Sequence, residues 1–191
     1  MNVNSHMRDF HPDDDLISPE NYTPQETPGD FDPGIPNQLL DFILRSEPAE
    51  VVDTDLFAVM KKRRSTRKFS DKPVETVKID KIIAAADTAP TAGNFQGFEI
   101  FYIKSPEKKR LLVDACNYQS YVDAPVVLVF CKNPSRVKLN FPPYILRKFA
   151  IQDATLAAGY SQLAAQALGL SSIWIGMFDE QKVMDILQTD L

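Results

Sequence analysis

The sequence predicts an α+β domain, with helices layered against three or four separate strands, behind an acidic amino-terminal arm. Three observations predict it. Apolar residues recur at helical spacing over 75–88, 107–115 and 149–168. Short runs rich in β-branched and aromatic residues, 98–103, 125–131 and 172–175, lie between and after those helices. Residues 1–34 are rich in Pro and Asp and offer few apolar anchors, so they cannot bury enough surface to offset their ordering entropy. One domain over residues 51–191 follows, preceded by an arm, 1–50, that is either largely disordered or wrapped on a partner.

The elements follow in order. Asn37–Arg45 reads as a short amphipathic helix in the arm, with Phe31, Leu39, Leu40 and Phe42 as its anchors for a partner. Val51–Met60 begins the body as a helix and runs into the basic stretch Lys61–Lys68. Glu75–Thr88 is a helix whose apolar set is Val77, Ile79, Ile82, Ile83 and Ala86. Pro90 disfavours helical geometry at Ala89 and stops it. Phe98–Ile103 is a strand, and Pro106 opens a helix over Glu107–Ala115. Pro125–Cys131 reads as a strand buried on both faces. Phe149–Leu168 is the longest helix, apolar almost all round and lined with alanines, hence buried and thin enough for another backbone to approach closely. Gly169 is its left-handed cap. Ser172–Ile175 is a short strand, and Asp179 caps a last helix over Glu180–Leu187.

Charge is distributed unevenly. Residues 1–50 hold eleven acidic and two basic residues, a net of -9, while residues 51–191 hold nineteen basic and fifteen acidic, a net of +4. No apolar run is long enough to span a bilayer, and the first residues lack the apolar stretch of a signal peptide. Cys116 and Cys131 have no metal or redox spacing and read as buried thiols of a reducing compartment, so a cytoplasmic location is expected.

Both histidines, His6 and His11, lie in the arm, which argues against a Ser-His or Cys-His pair or a histidine-rich metal site in the body. The seven glycines are scattered and form no phosphate loop. An enzyme built this way borrows its reactive group from a cofactor. Two segments could hold one. Arg63, Arg64, Ser65 and Arg67 offer guanidinium forks and a hydroxyl suited to a phosphate, although a solvated basic face explains the same run. The modest charge surplus, with no aromatic residue inside the run, counts against nucleic acid. The stretch "APTAGNFQGFEIF", 89–101, bares backbone amides and the Asn94 carboxamide, which suit the edge of a flat heteroaromatic ring; a plain helix-to-strand connection explains it equally well.

Taken together, "RRSTRKF" (63–69), "AADTAPTAGNFQGFEIF" (85–101), "DAPVVLVF" (123–130) and "QDATLAAGYSQLAAQALGLSSIWIGMFDEQKV" (152–183) resemble, in that order, the FMN-dependent nitroreductase family. The resemblance covers residues 56–187. It implies a mostly antiparallel central sheet flanked by helices, a homodimer with the long helix at its interface, and two FMN sites shared between protomers. It implies that Arg63 and Ser65 hold the FMN phosphate with help from Arg64, and that Arg67 reaches the ribityl chain and the N1/O2 edge of the flavin. Pro90, Thr91, Ala92 and Asn94 would lie on the flavin of the other protomer. Gln119 would sit near the pyrimidine edge, and Ile175-Gly176-Met177 would face flavin N5. The activity implied is ping-pong hydride transfer from NADH or NADPH to a nitroaromatic, quinone or similar small-molecule acceptor, with no protein acid or base required. Related flavin chemistry, such as dehalogenation or flavin breakdown, and a non-catalytic flavin-binding or interaction role are the alternatives.

Three departures from the family pattern stand out. Gly97-Phe98 replaces the usual Pro-Trp. The connection 132–148 is short, which predicts an open, permissive site. The sequence stops at Leu191, where the family continues into a strand that crosses to the partner.

Overall fold

The computed structural model describes residues 55–190. The arm, its expected helix at 37–45 and residues 51–54 lie outside the described residues. The order is α1 (Leu56–Lys62), α2 (Thr76–Asp87), β1 (Phe98–Tyr102), α3 (Pro106–Ala115), β2 (Leu128–Lys132), α4 (Pro143–Ala167) and α5 (Glu180–Leu187), with single 3-10 turns at 92–94, 120–122 and 134–136.

Local signals set most boundaries. The Asp55 carboxyl accepts the Phe57 and Ala58 N–H groups at the start of α1. At the end of α2 the Thr88 hydroxyl donates to Ala85 O at 2.8 Å, and Pro90 prevents a further turn. Pro106 occupies the first turn of α3, where Ser105 Oγ accepts the Lys108 N–H. Gly169, at φ 75°, ends α4: its N–H donates to Gln166 O, and the Leu170 N–H donates to Ala165 O. That pair of bonds is a Schellman motif, as the glycine predicts. Asp179 caps α5 by accepting the Lys182 N–H at 3.1 Å.

β1 and β2 form a two-stranded antiparallel ladder, Phe98 opposite Lys132, Ile100 opposite Phe130 and Tyr102 opposite Leu128. The helices pack round it in three small apolar clusters. Ala86, Ala89 and Phe98 meet Ala154 and Ala157 between α2, β1 and α4. Ile82 meets Ala165 and Leu168 further along the same helices. Ile103, Leu112 and Val122 meet Val183 and Leu187 between α3 and α5. The alanines of α4 let α2 and β1 approach it closely, as its composition predicts; Ala150 and Ala157 are fully buried.

Four expectations need correction. The long helix begins at Pro143, not Phe149, because a proline fits the first turn of a helix. It is not buried all round: Ile151, Leu156 and Tyr160 face outward, 49%, 42% and 39% exposed. The run 125–131 is a strand only from Leu128 and is half-buried throughout. Ser172–Ile175 is no strand; among the described residues it makes one parallel bridge, Ser172 to Ser65, and no longer neighbour runs beside it. Cys116 is buried and Cys131 half-buried, and both are free thiols. No described helix is long and apolar enough to cross a membrane.

Candidate cofactor site

The basic run leaves α1 in an extended conformation. Arg63 is the carboxy-terminal cap of that helix, its N–H donating to Val59 O at 2.9 Å. Arg64 turns back: its Nη1 donates to Lys61 O and to Arg63 O, which closes the exposed carbonyls of the helix end. Ser65 then bridges to Ser172, and the Thr66 N–H donates to Ser172 O at 3.0 Å. This bridge joins a segment 63–67 to one more than a hundred residues later, and so brings the basic run alongside Ser172–Met177. Ser65, Arg64 and Arg67 are exposed and Arg63 is half-buried, so guanidinium groups and a hydroxyl are available to an anion there.

A second set of bonds fixes Met177. The Gln119 Nε2 donates to Met177 O at 3.2 Å and to Cys116 O at 2.7 Å, while Tyr121 Oη donates to Gln119 Oε1. The Asp179 N–H donates to Ala115 O at 2.8 Å. Nearby, the Lys182 ammonium lies 3.2 Å from Asp114. A hydrogen bond from Tyr118, then that of Lys182, holds the Asp114 carboxyl below its usual range. Asn117 and Tyr118 reach this arrangement through two consecutive left-handed residues, φ 56° and 57°. The Asp114–Lys182 pair and the Asn117 contact with Met177 O do not announce themselves in the sequence, since each joins residues sixty or more apart.

These segments border a cavity of about 830 Å³ whose lining includes Thr66, Lys68, Tyr121, Ile175 and Gly176, with Val127 and Val129 of the strand region and Ala158 and Ala165 of α4 behind them. Its walls are mainly apolar with polar and charged groups such as Lys68, Glu75 and Gln162 among them, which suits a cofactor pocket.

The bend 90–97 lies elsewhere. Pro90, Thr91 and Ala92 line a separate hollow of about 550 Å³ with Phe149, Gln152, Asp153, Thr155 and Leu156 of α4. Gly93 and Asn94 are left-handed at φ 58°, and so is Gln96 at φ 47°. Within the bend, Gln96 N–H donates to Thr91 Oγ1 at 3.2 Å and Gln96 Nε2 to Asn94 Oδ1 at 2.7 Å. Gly97 has an N–H where a proline would have none, and it donates to Asp153 Oδ2 at 3.0 Å. Asp153 Oδ1 accepts the Ala92 N–H, also at 3.0 Å. A carboxyl taken out of water costs several kcal/mol unless it is hydrogen-bonded, and these two bonds meet that need. In sequence Asp153 is one polar residue on an alanine-rich helix; a carboxyl on the buried stripe was the available signal.

One chain therefore brings Thr66 and Lys68 of the basic run to the same cavity as Ile175 and Gly176, with Ser65 bridged to Ser172 beside it, and keeps Pro90, Thr91 and Ala92 at a different hollow. The exposed apolar face of α4, with Leu156, adjoins the second of these.

Known proteins match this chain. The family model described as "Nitroreductase family" matches residues 60–122 and 114–190. A putative NADH dehydrogenase/NAD(P)H nitroreductase of Archaeoglobus fulgidus is 32% identical over 127 residues, 66% of this chain and 70% of that protein. An FMN reductase [NAD(P)H] of Bacillus subtilis is 30% identical over 65% of this chain and 56% of its own length. Among solved structures, the NADPH:FMN oxidoreductase from Vibrio harveyi complexed with NAD+ superposes with a TM-score of 0.64 at 26% identity, covering 70% of this chain and 61% of that one. The chain thus spans between about half and 70% of the length of these relatives. Sequence and architecture agree: the chain belongs to the nitroreductase family.

Proposed function

We propose that this chain is an FMN-dependent oxidoreductase that takes a hydride from NADH or NADPH and passes electrons to a nitroaromatic, quinone or similar electron-poor small molecule. FMN, when bound, supplies the redox chemistry. The residues of the chain bind and orient it. Arg63 and Ser65 would hold the phosphate through a guanidinium fork and a hydroxyl donor. Arg67 would offer its guanidinium to the edge of the ring where negative charge collects, and so stabilise that charge without a proton transfer. Gln119 holds the backbone at Met177, and so sets the position of the Ile175–Met177 amides.

The site needs a second copy of the chain. The observation that carries this reading is the separation of the two halves: the basic run and Ile175–Gly176 border one cavity, and Pro90–Ala92 line another. A two-fold dimer through the outward face of α4 brings one protomer's bend to its partner's arginines. The absence of histidine from residues 51–191 accords with chemistry that uses no protein acid or base. The free thiols of Cys116 and Cys131 suit a reducing cytoplasm.

The purified chain tests the proposal directly. It should be yellow, or become so with FMN, bleach with NADH or NADPH, and recolour on adding a nitroaromatic. A yellow protein inert to both nicotinamides would point to another flavin reaction on the same fold. A colourless protein that FMN cannot reconstitute would sink the oxidoreductase reading.

A further inference from the structure

We propose that Asp153 is a positioning residue for the cofactor, fixing the backbone of the 91–97 bend by holding both its ends to the long helix. This rests on the functional reading above, in which that bend meets FMN.

The bend has an unusual backbone. Two of its left-handed residues, Asn94 and Gln96, are not glycine, and such residues persist in that region only where surrounding contacts impose it. The bonds from Gln96 to Thr91 and to Asn94 are internal to the bend and cannot orient it against the body. Asp153 can. Its two oxygens accept the Ala92 and Gly97 N–H groups, the first and last anchor points of the turn. It is 2% exposed and sits on the stripe of α4 that carries Ala150, Ala154 and Ala157, so the helix holds it rigidly. The fit is close on the other side too. A Cβ added at Gly97 would lie 2.9 Å from Asp153 Oδ2, 2.7 Å from Val137 Cγ2 and 3.2 Å from Ala150 Cα. The last of these is backbone and cannot swing aside. Glycine at 97 and the carboxyl at 153 together press the bend onto the helix.

The chemistry demands a carboxyl rather than a carboxamide. Both contacts are N–H donors, and an asparagine offers one accepting oxygen and an amide NH2 that can only donate. Asp153→Asn therefore keeps the volume and sets that NH2 against one N–H. Gly97→Ala leaves the carboxyl in place and pushes the bend off it.

The test uses the full 191-residue chain and both variants, with Leu187→Ala in the α3–α5 cluster as a control of reduced stability remote from the bend. Without FMN, amide exchange at Ala92 and Gly97 should be faster in Asp153→Asn than in the wild type and the control. With FMN, the dissociation constant should rise about tenfold, the loss of one well-formed bond. The visible circular dichroism of the bound flavin should change, while Leu187→Ala keeps the wild-type spectrum. Gly97→Ala should match Asp153→Asn on all three readouts, and it decides the matter should Asp153→Asn fail to fold. Wild-type affinity, spectrum and exchange in either folded variant overturn the assignment and leave the flavin reading standing. A wild type that takes up no FMN overturns both.

Discussion

Arg64 and Arg67 stand three residues apart in one basic run, yet their surroundings differ. Arg64 closes the end of α1 through the Lys61 and Arg63 carbonyls. Arg67 is exposed beside the segment joined to Ser172–Met177. Arg67→Ala should therefore weaken FMN binding by about tenfold or more, since a charged donor to the cofactor is worth roughly 1.5–3 kcal/mol. Arg64→Ala should cost about 1 kcal/mol of stability and change FMN affinity much less. Flavin titration and thermal melts separate the two, and equal losses of affinity would defeat the distinction. Asp87 offers a second prediction. Burial pushes its carboxyl above the usual value of 3.8, Arg136 opposes that, and Glu99 adds to it. A carboxyl with a raised folded pKa favours the fold fully below pH 3.8 and loses that contribution as pH rises through its folded value. At neutral pH its ionised form is a burden. Asp87→Asn should raise the melting temperature at pH 7, with the gain fading below about pH 4.

Elements were legible where the signal is local. Pro90 ends α2, Pro106 opens α3, Gly169 closes α4 and Asp179 caps α5, each within a few residues of the backbone groups it satisfies. The α5 cap is simple to test: Asp179→Ala should cost about 1 kcal/mol in chemical denaturation, and no cost would show that the Lys182 N–H bond is idle. Elements that need a distant partner were not legible. Ser172–Ile175 has the composition of a strand, but composition cannot say whether anything lies alongside, and among the described residues a single bridge to Ser65 does. The outward face of α4 is open in the single chain for a related reason. Ile151, Leu156 and Tyr160 satisfy the pattern of a buried helix, and the sequence does not say whether the cover comes from the same chain or another. For the site, residue types were readable: arginines with a serine for an anion, small polar residues for a ring edge. Their division between two places came from the family resemblance and not from residue types, and the bracing of the bend by Asp153 was not legible at all, because it arises from contacts between segments more than fifty residues apart.

At the scale of the whole molecule, several exposed apolar residues lie on two helices that pack together. Ile151 and Leu156 lie on α4, which α1 packs against, and α1 leaves Leu56, Phe57 and Met60 54%, 80% and 50% exposed. Large apolar side chains left exposed on neighbouring helices suit an association site. In the proposed dimer a two-fold axis through these helices uses each residue twice, so one substitution acts at two places. Burying a leucine side chain is worth about 1.5–3 kcal/mol. Leu156→Glu should then weaken dimerisation by about 3 kcal/mol or more, a factor on the order of a hundred or greater. Because Leu156 also borders the hollow of Pro90–Ala92, the same change should lower FMN content in parallel with dimer content. Sedimentation velocity with absorbance at flavin and protein wavelengths measures both on one sample. Flavin should travel with the dimer boundary in the wild type, and the slow boundary of Leu156→Glu should be colourless. A yellow monomer would contradict the two-chain site, since one protomer would then be holding the cofactor without its partner's bend.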